Sequence, residues 1–360
     1  MTGTHSSPQR ASRERSLPPF SGERPGAHVQ QIVNGVVSFG VLLSLTDLGV
    51  ADHLADGPRD VAELARLCEA DADPLHRILR AATSLGLLRA TDQPDTYALT
   101  QEGRTLRGDL ADSMLPAVMM AAEPRWLEAI RVLPETVRTG RPALPQPTYE
   151  YLADNPGTRA LFHRFMRTRT APVAAAIADL DFERVHTVVD IGGGHGTILA
   201  KILQTHPHCT GILLDRPDLV ETAAEHLAAL GLRDRCEVVG DDFLDYVPPG
   251  ADLYLLAGVV HNWSDDDAGL ILQNVRKAME ATDGPAQVWC VDLLRPTSPA
   301  RFGPPHMATV LDVRMLSLFS GGHERTRAEY ESLMVRNGLE ITWLEQFPND
   351  MHLMVAGLAT

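Results

Sequence analysis

The residues able to do chemistry gather in the second half of the chain. The run Val188-Val189-Asp190-Ile191-Gly192-Gly193-Gly194-His195-Gly196 reads as an apolar strand opening into a glycine loop, and a helical pattern follows from Thr197. Such a loop lets backbone approach a ligand at the carboxyl end of a strand, beside a helix N-terminus. A phosphate-cradling loop would need a Lys after its last glycine, and none follows. A dinucleotide fingerprint would need Gly or Ala three residues after its second glycine, where this chain has Thr197. What remains is Asp-x-Gly-x-Gly-x-Gly, with Asp215 ending the next apolar stretch 25 residues after Asp190. That carboxylate suits a ribose diol, as any nucleoside cofactor requires. The third stretch ends in Gly240-Asp241-Asp242-Phe243, acids able to accept from an exocyclic amine beside a ring for the base. Any one of these acids could merely cap a helix. Placed at the ends of successive strands, they favour a cofactor site.

The fourth stretch ends in Gly258-Val259-Val260-His261-Asn262-Trp263. A histidine in an apolar stretch is often a core or capping residue. At a strand end on the ligand-bearing edge, a side chain with an ordinary pKa of about 6.5 is suited to act as a general base. Asp292, after the fifth strand, and Glu324, in Gly321-Gly322-His323-Glu324-Arg325-Thr326, are the acids that can orient its imidazole, or they are surface acids or caps. Phe162 and Met166 on one predicted helix, and Met315 and Phe319 on another, are candidates for an apolar acceptor pocket, although Met and Phe at helical spacing also fill ordinary cores.

These groups need a scaffold. From residue 187 short apolar strands alternate with helices, the pattern of a doubly wound α/β domain with a parallel sheet covered on both faces. Residues 29–140 have helical spacing, beginning with Val33, Val36, Val37, Val41, Leu42 and Leu45. Asp60 is a candidate N-cap, Asp73 with Pro74 at the first helical position opens a second helix, and two strand-like pairs follow Gly86 around Asp92-Gln93-Pro94-Asp95. That order is a winged helix-turn-helix. Proline-rich residues 141–157 mark the crossing into the second unit. The expected division is a mobile tail over 1–28, a winged-helix unit over 29–150 and an α/β unit over 151–360.

Charge limits the partners. Arg and Lys number 32 against 47 acids, a net −15, with −4 over residues 31–180 and −13 over 181–360. A chain that neutralised phosphates would show a basic face, so a nucleic-acid partner is not expected even though the candidate recognition helix carries Arg77 and Arg80. Cys68, Cys209, Cys236 and Cys290 lie 141, 27 and 54 residues apart, without metal-ligand spacing. They read as free thiols in a reducing, cytoplasmic compartment, with no metal. The first residues lack the apolar stretch of a secretion signal, and nowhere do 18 apolar residues run together, so no membrane association is expected.

With its motifs in this order, the chain resembles the plant caffeate-type O-methyltransferases and their bacterial natural-product relatives, over roughly residues 30–360. The resemblance implies a mixed seven-stranded, Rossmann-like methyltransferase sheet and an N-terminal, mostly helical winged-helix dimerisation domain forming a homodimer. It implies S-adenosylmethionine as cofactor, with Gly192, Gly194 and the rest of the loop near its methionine part, Asp215 on the ribose, and Asp241 and Asp242 near the adenine. His261 would take the proton of a substrate hydroxyl, with Asp292 and Glu324 flanking it. Asn262 stands where the family usually has Asp, and Ala257 where a plant member has a Lys touching the cofactor. Transfer from a sulfonium expels a neutral thioether and needs no metal. A histidine base reaches a phenol of pKa about 10 far more easily than an aliphatic alcohol, so an aromatic acceptor is expected. The alternative is a relative that binds the same cofactor but hydroxylates, decarboxylates or catalyses a pericyclic step.

Overall fold

The computed structural model describes residues 26–298 and 306–359. The expected tail lies outside the described residues except at its end, where Ala27 and His28 already belong to the first helix. The N-terminal unit runs α1 (Ala27–Asp47), α2 (Val50–His53), β1 (Arg59–Asp60), α3 (Val61–Leu67), α4 (Ala72–Ser84), β2 (Leu88–Ala90), β3 (Thr96–Leu99) and α5 (Gln101–Arg104). Asp60 caps α3 by accepting from the Glu63 amide at 2.8 Å. The second cap is Asp71 rather than Asp73, because Asp71 is extended and its carboxylate accepts from the Asp73 amide at 3.0 Å. Pro74 therefore sits within the first turn, where a missing N–H forfeits no intrahelical bond. Strand β3 pairs antiparallel with β2 and β1 to make the wing. Leu45, Val50, Leu64 and Leu79 fill the core beneath it.

Five helices lead to the α/β unit: α6 (Leu115–Ala122), α7 (Pro124–Arg131), α8 (Leu133–Thr139), α9 (Thr148–Asp154) and α10 (Pro156–Ala178). Residues 150 and 151, where the change of unit was expected, fall inside α9. The part of α10 beyond Pro172 buries Val173, Ala174 and Ile177 against the sheet, while Phe162 and Met166 in its first half stay partly buried. A small cluster of Met120, Trp126, Ala129, Leu152 and Leu318 ties these helices to the α/β unit, and Phe162 and Phe319 pack against it.

The α/β unit comprises β4 (Thr187–Ile191), α11 (Thr197–Thr205), β5 (Thr210–Asp215), α12 (Val220–Ala229), β6 (Cys236–Gly240), β7 (Leu253–Ala257), α13 (Asp265–Glu280), β8 (Gln287–Leu293), α14 (Met307–Leu318), α15 (Arg327–Arg336), β9 (Leu339–Gln346) and β10 (Met351–Leu358). Its seven-stranded sheet has the order β6-β5-β4-β7-β8-β10-β9. The first five strands are parallel, and β10 lies antiparallel between β8 and β9, which makes the sheet mixed. Successive residues of β4 face opposite cores: Val188 packs with Leu199, Leu213 and Ile177, and Val189 and Ile191 pack with Leu256, Leu272 and Tyr330. Burial on both faces is why the strands read as unbroken apolar runs. The chain winds outward from β4 to β6, then returns to β7 on the other side, so a crevice opens at the carboxyl ends of β4 and β7.

Leu199, fully buried, presses on Gly211 of β5 and seats α11 behind the glycine loop. Leu199→Ala should cost about 2 to 5 kcal/mol in urea unfolding. A loss below about 1 kcal/mol would show that this packing does not hold the helix.

Candidate active site

The glycine loop leaves β4 with Gly192 in the left-handed region, at φ 68°. A Cβ there would lie 2.9 Å from Val259, and one on Gly193 would lie 2.5 Å from the Asp190 carboxylate, so neither position has space for a side chain. Asp190 is buried beneath the loop, and its Oδ2 has no partner among the described residues. Burial first, and then the charge of Asp215, push its pKa up to about 7. At the end of β5, Asp215 accepts from the Gly194 amide at 2.7 Å and the Arg216 amide at 2.8 Å, one bond to each carboxylate oxygen. Each oxygen keeps a lone pair for a diol hydroxyl. Asp241 and Asp242 are exposed past β6. Phe243 is buried, its ring edge-on to Trp263 at 5.6 Å and close under Gly192.

His261 lies in the short turn after β7 and is buried. Its Nδ1 is 2.9 Å from Glu324 Oε1. The carboxylate fixes the tautomer: Nδ1–H donates to it, and Nε2 keeps its lone pair. Burial alone would lower the pKa of His261, but Asp292 and Glu324 outweigh burial and the opposing Arg169, and the net shift is upward. The segment carrying Glu324 is strapped to the turn carrying His261. The His323 amide donates to the His261 carbonyl at 2.9 Å, and the fully buried Arg325 donates to the carbonyls of Val260 and Trp263, both at 3.0 Å, and to Asp265. Gly322 fits within van der Waals contact of the same turn, where a Cβ would lie 2.8 Å from the Asn262 carbonyl.

The two acids expected to flank the imidazole are not equivalent. Asp292 lies within β8, fully buried, and accepts from the Tyr330 hydroxyl at 2.7 Å; it makes no hydrogen bond to His261 and acts on it only through its charge. Asn262 donates back to the Gly258 carbonyl at 3.0 Å. Among the acceptor-side candidates, Met315 is buried on α14, Phe319 sits just past the helix end, Met166 is partly buried, and Phe162 packs on Trp126 at 6.1 Å. The sequence reading missed Tyr149 on α9, whose ring lies under the Arg216 guanidinium and 5.6 Å from Phe319, linking the Asp215 end to the acceptor end. It also missed Tyr330 and Arg169, which carry no signal beyond lying on helices that the fold turns inward.

Residues 132–340 match the O-methyltransferase domain family, and residues 30–109 match the O-methyltransferase dimerisation domain. The chain belongs to the O-methyltransferase family. The phenazine O-methyltransferase of Lysobacter antibioticus is 34% identical over 86% of this chain and 90% of its own length. The mitomycin biosynthesis 6-O-methyltransferase of Streptomyces lavendulae is 33% identical over 87% and 88%. The solved structure of an O-methyltransferase from neocarzinostatin biosynthesis, in complex with S-adenosylmethionine and 2-hydroxy-5-methyl naphthoic acid, superposes with a TM-score of 0.72 at 30% identity, covering 89% of this chain and 95% of that one.

The enzyme is an S-adenosylmethionine-dependent O-methyltransferase, and its loop suits that cofactor chemically. Asp190 Oδ2 is a buried acceptor with no partner among the described residues, Asp215 is half-satisfied, and neither Gly192 nor Gly193 has space for a side chain, together a cradle for a ligand carrying positive charge and a diol. The cationic centres of the cofactor would draw the proton from Asp190. Ionisation is favoured in the bound state, so affinity for S-adenosylmethionine should rise with pH up to about 7 and level off above. Calorimetry across pH 5.5 to 8.5 tests this; a flat profile, or one unchanged in Asp190→Asn, would dissociate Asp190 from cofactor binding.

Proposed function

We propose that this methyltransferase methylates a phenolic hydroxyl of an aromatic natural-product intermediate, with His261 Nε2 removing the hydroxyl proton. One observation carries the reading: a buried imidazole holds its Nδ1 against Glu324, which leaves Nε2 as the nitrogen with a free lone pair. S-adenosylmethionine, when bound, supplies a methyl group on a sulfonium that leaves as a neutral thioether. Gly192, Gly194 and Asp190 serve its methionine end, Asp215 the ribose, and Asp241, Asp242 and Phe243 the adenine. Phe162, Met166, Met315 and Phe319 position the ring, Met315 from a buried position and the other three from partly buried ones, and alignment of the acceptor is what they supply. Asp292, tied to Tyr330, acts as a fixed charge behind the imidazole. Aromatic acceptors in the names of relatives, a phenazine and a naphthoic acid, support this class.

The enzyme works as a homodimer through its N-terminal unit. Val29, Ile32, Val33, Val36 and Val37 form one exposed apolar stripe on α1, and all but Val29 lie within the segment that matches the dimerisation domain. By length and hydropathy α1 could span a membrane, and a second copy of the chain is the occupant that the family match favours. Four free cysteines support a reducing cytoplasmic setting.

A panel of hydroxylated aromatics, scored for a mass gain of one methyl, is the direct test. His261→Ala should slow transfer by about 10²-fold or more while cofactor affinity holds; an unchanged rate near neutral pH removes His261 as the base. Protonated His261 cannot accept a proton, and its pKa is raised, so kcat/KM should climb with pH through a midpoint above the ordinary 6.5. Glu324→Gln removes one of the raising charges and should move that midpoint down. A midpoint that stays in place assigns the pH limb to another group.

A further inference from the structure

We propose that His163 of α10 is a positioning residue for the cofactor loop, acting through His195, so that loading the loop and ordering the acceptor-side helix are one coupled event. The proposal rests on the cofactor lying at the glycine loop and not on the choice of acceptor or base. Between Gly192 and Gly196, His195 is the one residue with a side chain. Gly192, Gly194 and Gly196 all stand in the left-handed region, at φ 68°, 59° and 75°, so the shape of the loop depends on what holds it. Its backbone bonds run to β5 and to itself. The Gly192 amide donates to the Leu214 carbonyl at 2.7 Å, the Gly194 amide to Asp215, and the Gly196 amide to the Gly193 carbonyl at 2.9 Å. Its side chain meets α10. The His195 and His163 rings lie edge to face, 4.2 Å apart between centroids and at 87°.

This contact is one link in a run of rings. Trp126 of α7 lies 6.1 Å from Phe162, Phe162 lies 6.3 Å from His163, and His195 lies 6.4 Å from His226 of α12. The run begins in the cluster on which Phe162 and Phe319 pack, and it ends on the helix after β5. On α10, Met166 follows His163 by three residues and so shares its face. The residues of α10 that are buried outright all lie beyond Pro172, which leaves the half carrying Phe162, His163 and Met166 dependent on partial contacts of this kind. Burial first, and then the charges of His195, Arg159 and Arg167, hold His163 down to about 4 against Asp218, and burial, Arg167 and His226 lower His195. Both rings are therefore neutral near pH 7.5, and no like charge drives them apart. Coupling between two sites is reciprocal: if the loaded loop steadies α10 through His195, α10 raises the affinity of the loop by the same factor. A ring pair of this geometry is worth roughly two- to tenfold in a binding constant.

Calorimetry with S-adenosylhomocysteine, and amide hydrogen exchange over residues 156–171 with and without saturating S-adenosylhomocysteine, test the coupling without turnover. In wild type, exchange over this segment should slow on saturation. His163→Ala and His195→Ala should each weaken binding by roughly two- to tenfold and remove the slowing even at saturation. The double variant should bind no more weakly than His195→Ala alone, because the two rings act through one contact. His163→Phe, which keeps a ring against His195, should restore both readouts, and it carries the test if the urea midpoint of His163→Ala falls. Full affinity in His163→Ala, additive losses in the double variant, failure of His163→Phe to restore binding, or wild-type exchange indifferent to the ligand overturns the proposal. None of these readouts depends on methyl transfer. Failure of His261 as the base would leave the coupling standing, and failure of the coupling would leave the base standing.

Discussion

Burial of one imidazole beside two carboxylates is the constraint on which the rest of the site depends. Taken out of water, His261 alone would lose basicity, and only the opposing charges of Glu324 and Asp292 reverse that loss. Buried carboxylates are themselves costly, so each needs a donor. Glu324 has the imidazole N–H, and Asp292 has the Tyr330 hydroxyl. The backbone must then hold three strand or turn ends in register. Arg325 does this from the residue next to Glu324, fastening its own segment to the carbonyls of the His261 turn. Orientation of the base and closure of the loop over it are thus one structural event.

The same economy governs the cofactor side. Glycines at 192, 193 and 194 bring backbone against Asp190 and Asp215, leaving acceptor capacity that no other group among the described residues uses. The two ends of the crevice communicate through Tyr149, which touches Arg216 beside Asp215 and Phe319 beside the acceptor wall. Helix α9, sequentially between the two units, thus touches both the Asp215 end and Phe319.

Much of this was legible in the residues. The apolar runs of β4, β5 and β7 read as buried parallel strands because both faces of the sheet are covered, and strand ends in such a sheet converge on one crevice. Asp190, Asp215 and His261 could therefore be assigned to one edge of the sheet although they are far apart in the chain. The antiparallel placement of β10 between β8 and β9 was not readable from periodicity, which is identical for either direction of pairing. The second cap was misplaced by two residues, since both Asp71 and Asp73 carry the right side chain and only the extended backbone at Asp71 distinguishes them.

By itself the sequence determined the chemistry on offer: a glycine loop excluding phosphate and dinucleotide spacing, acids at successive strand ends, a histidine at the fourth, and a winged unit of negative net charge. Tertiary structure decided which acid meets the imidazole, because hydrogen bonding requires approach within about 3 Å, and two buried carboxylates of similar type differ in sequence by nothing that encodes such a distance. It chose Glu324 for His261 and Tyr330 for Asp292.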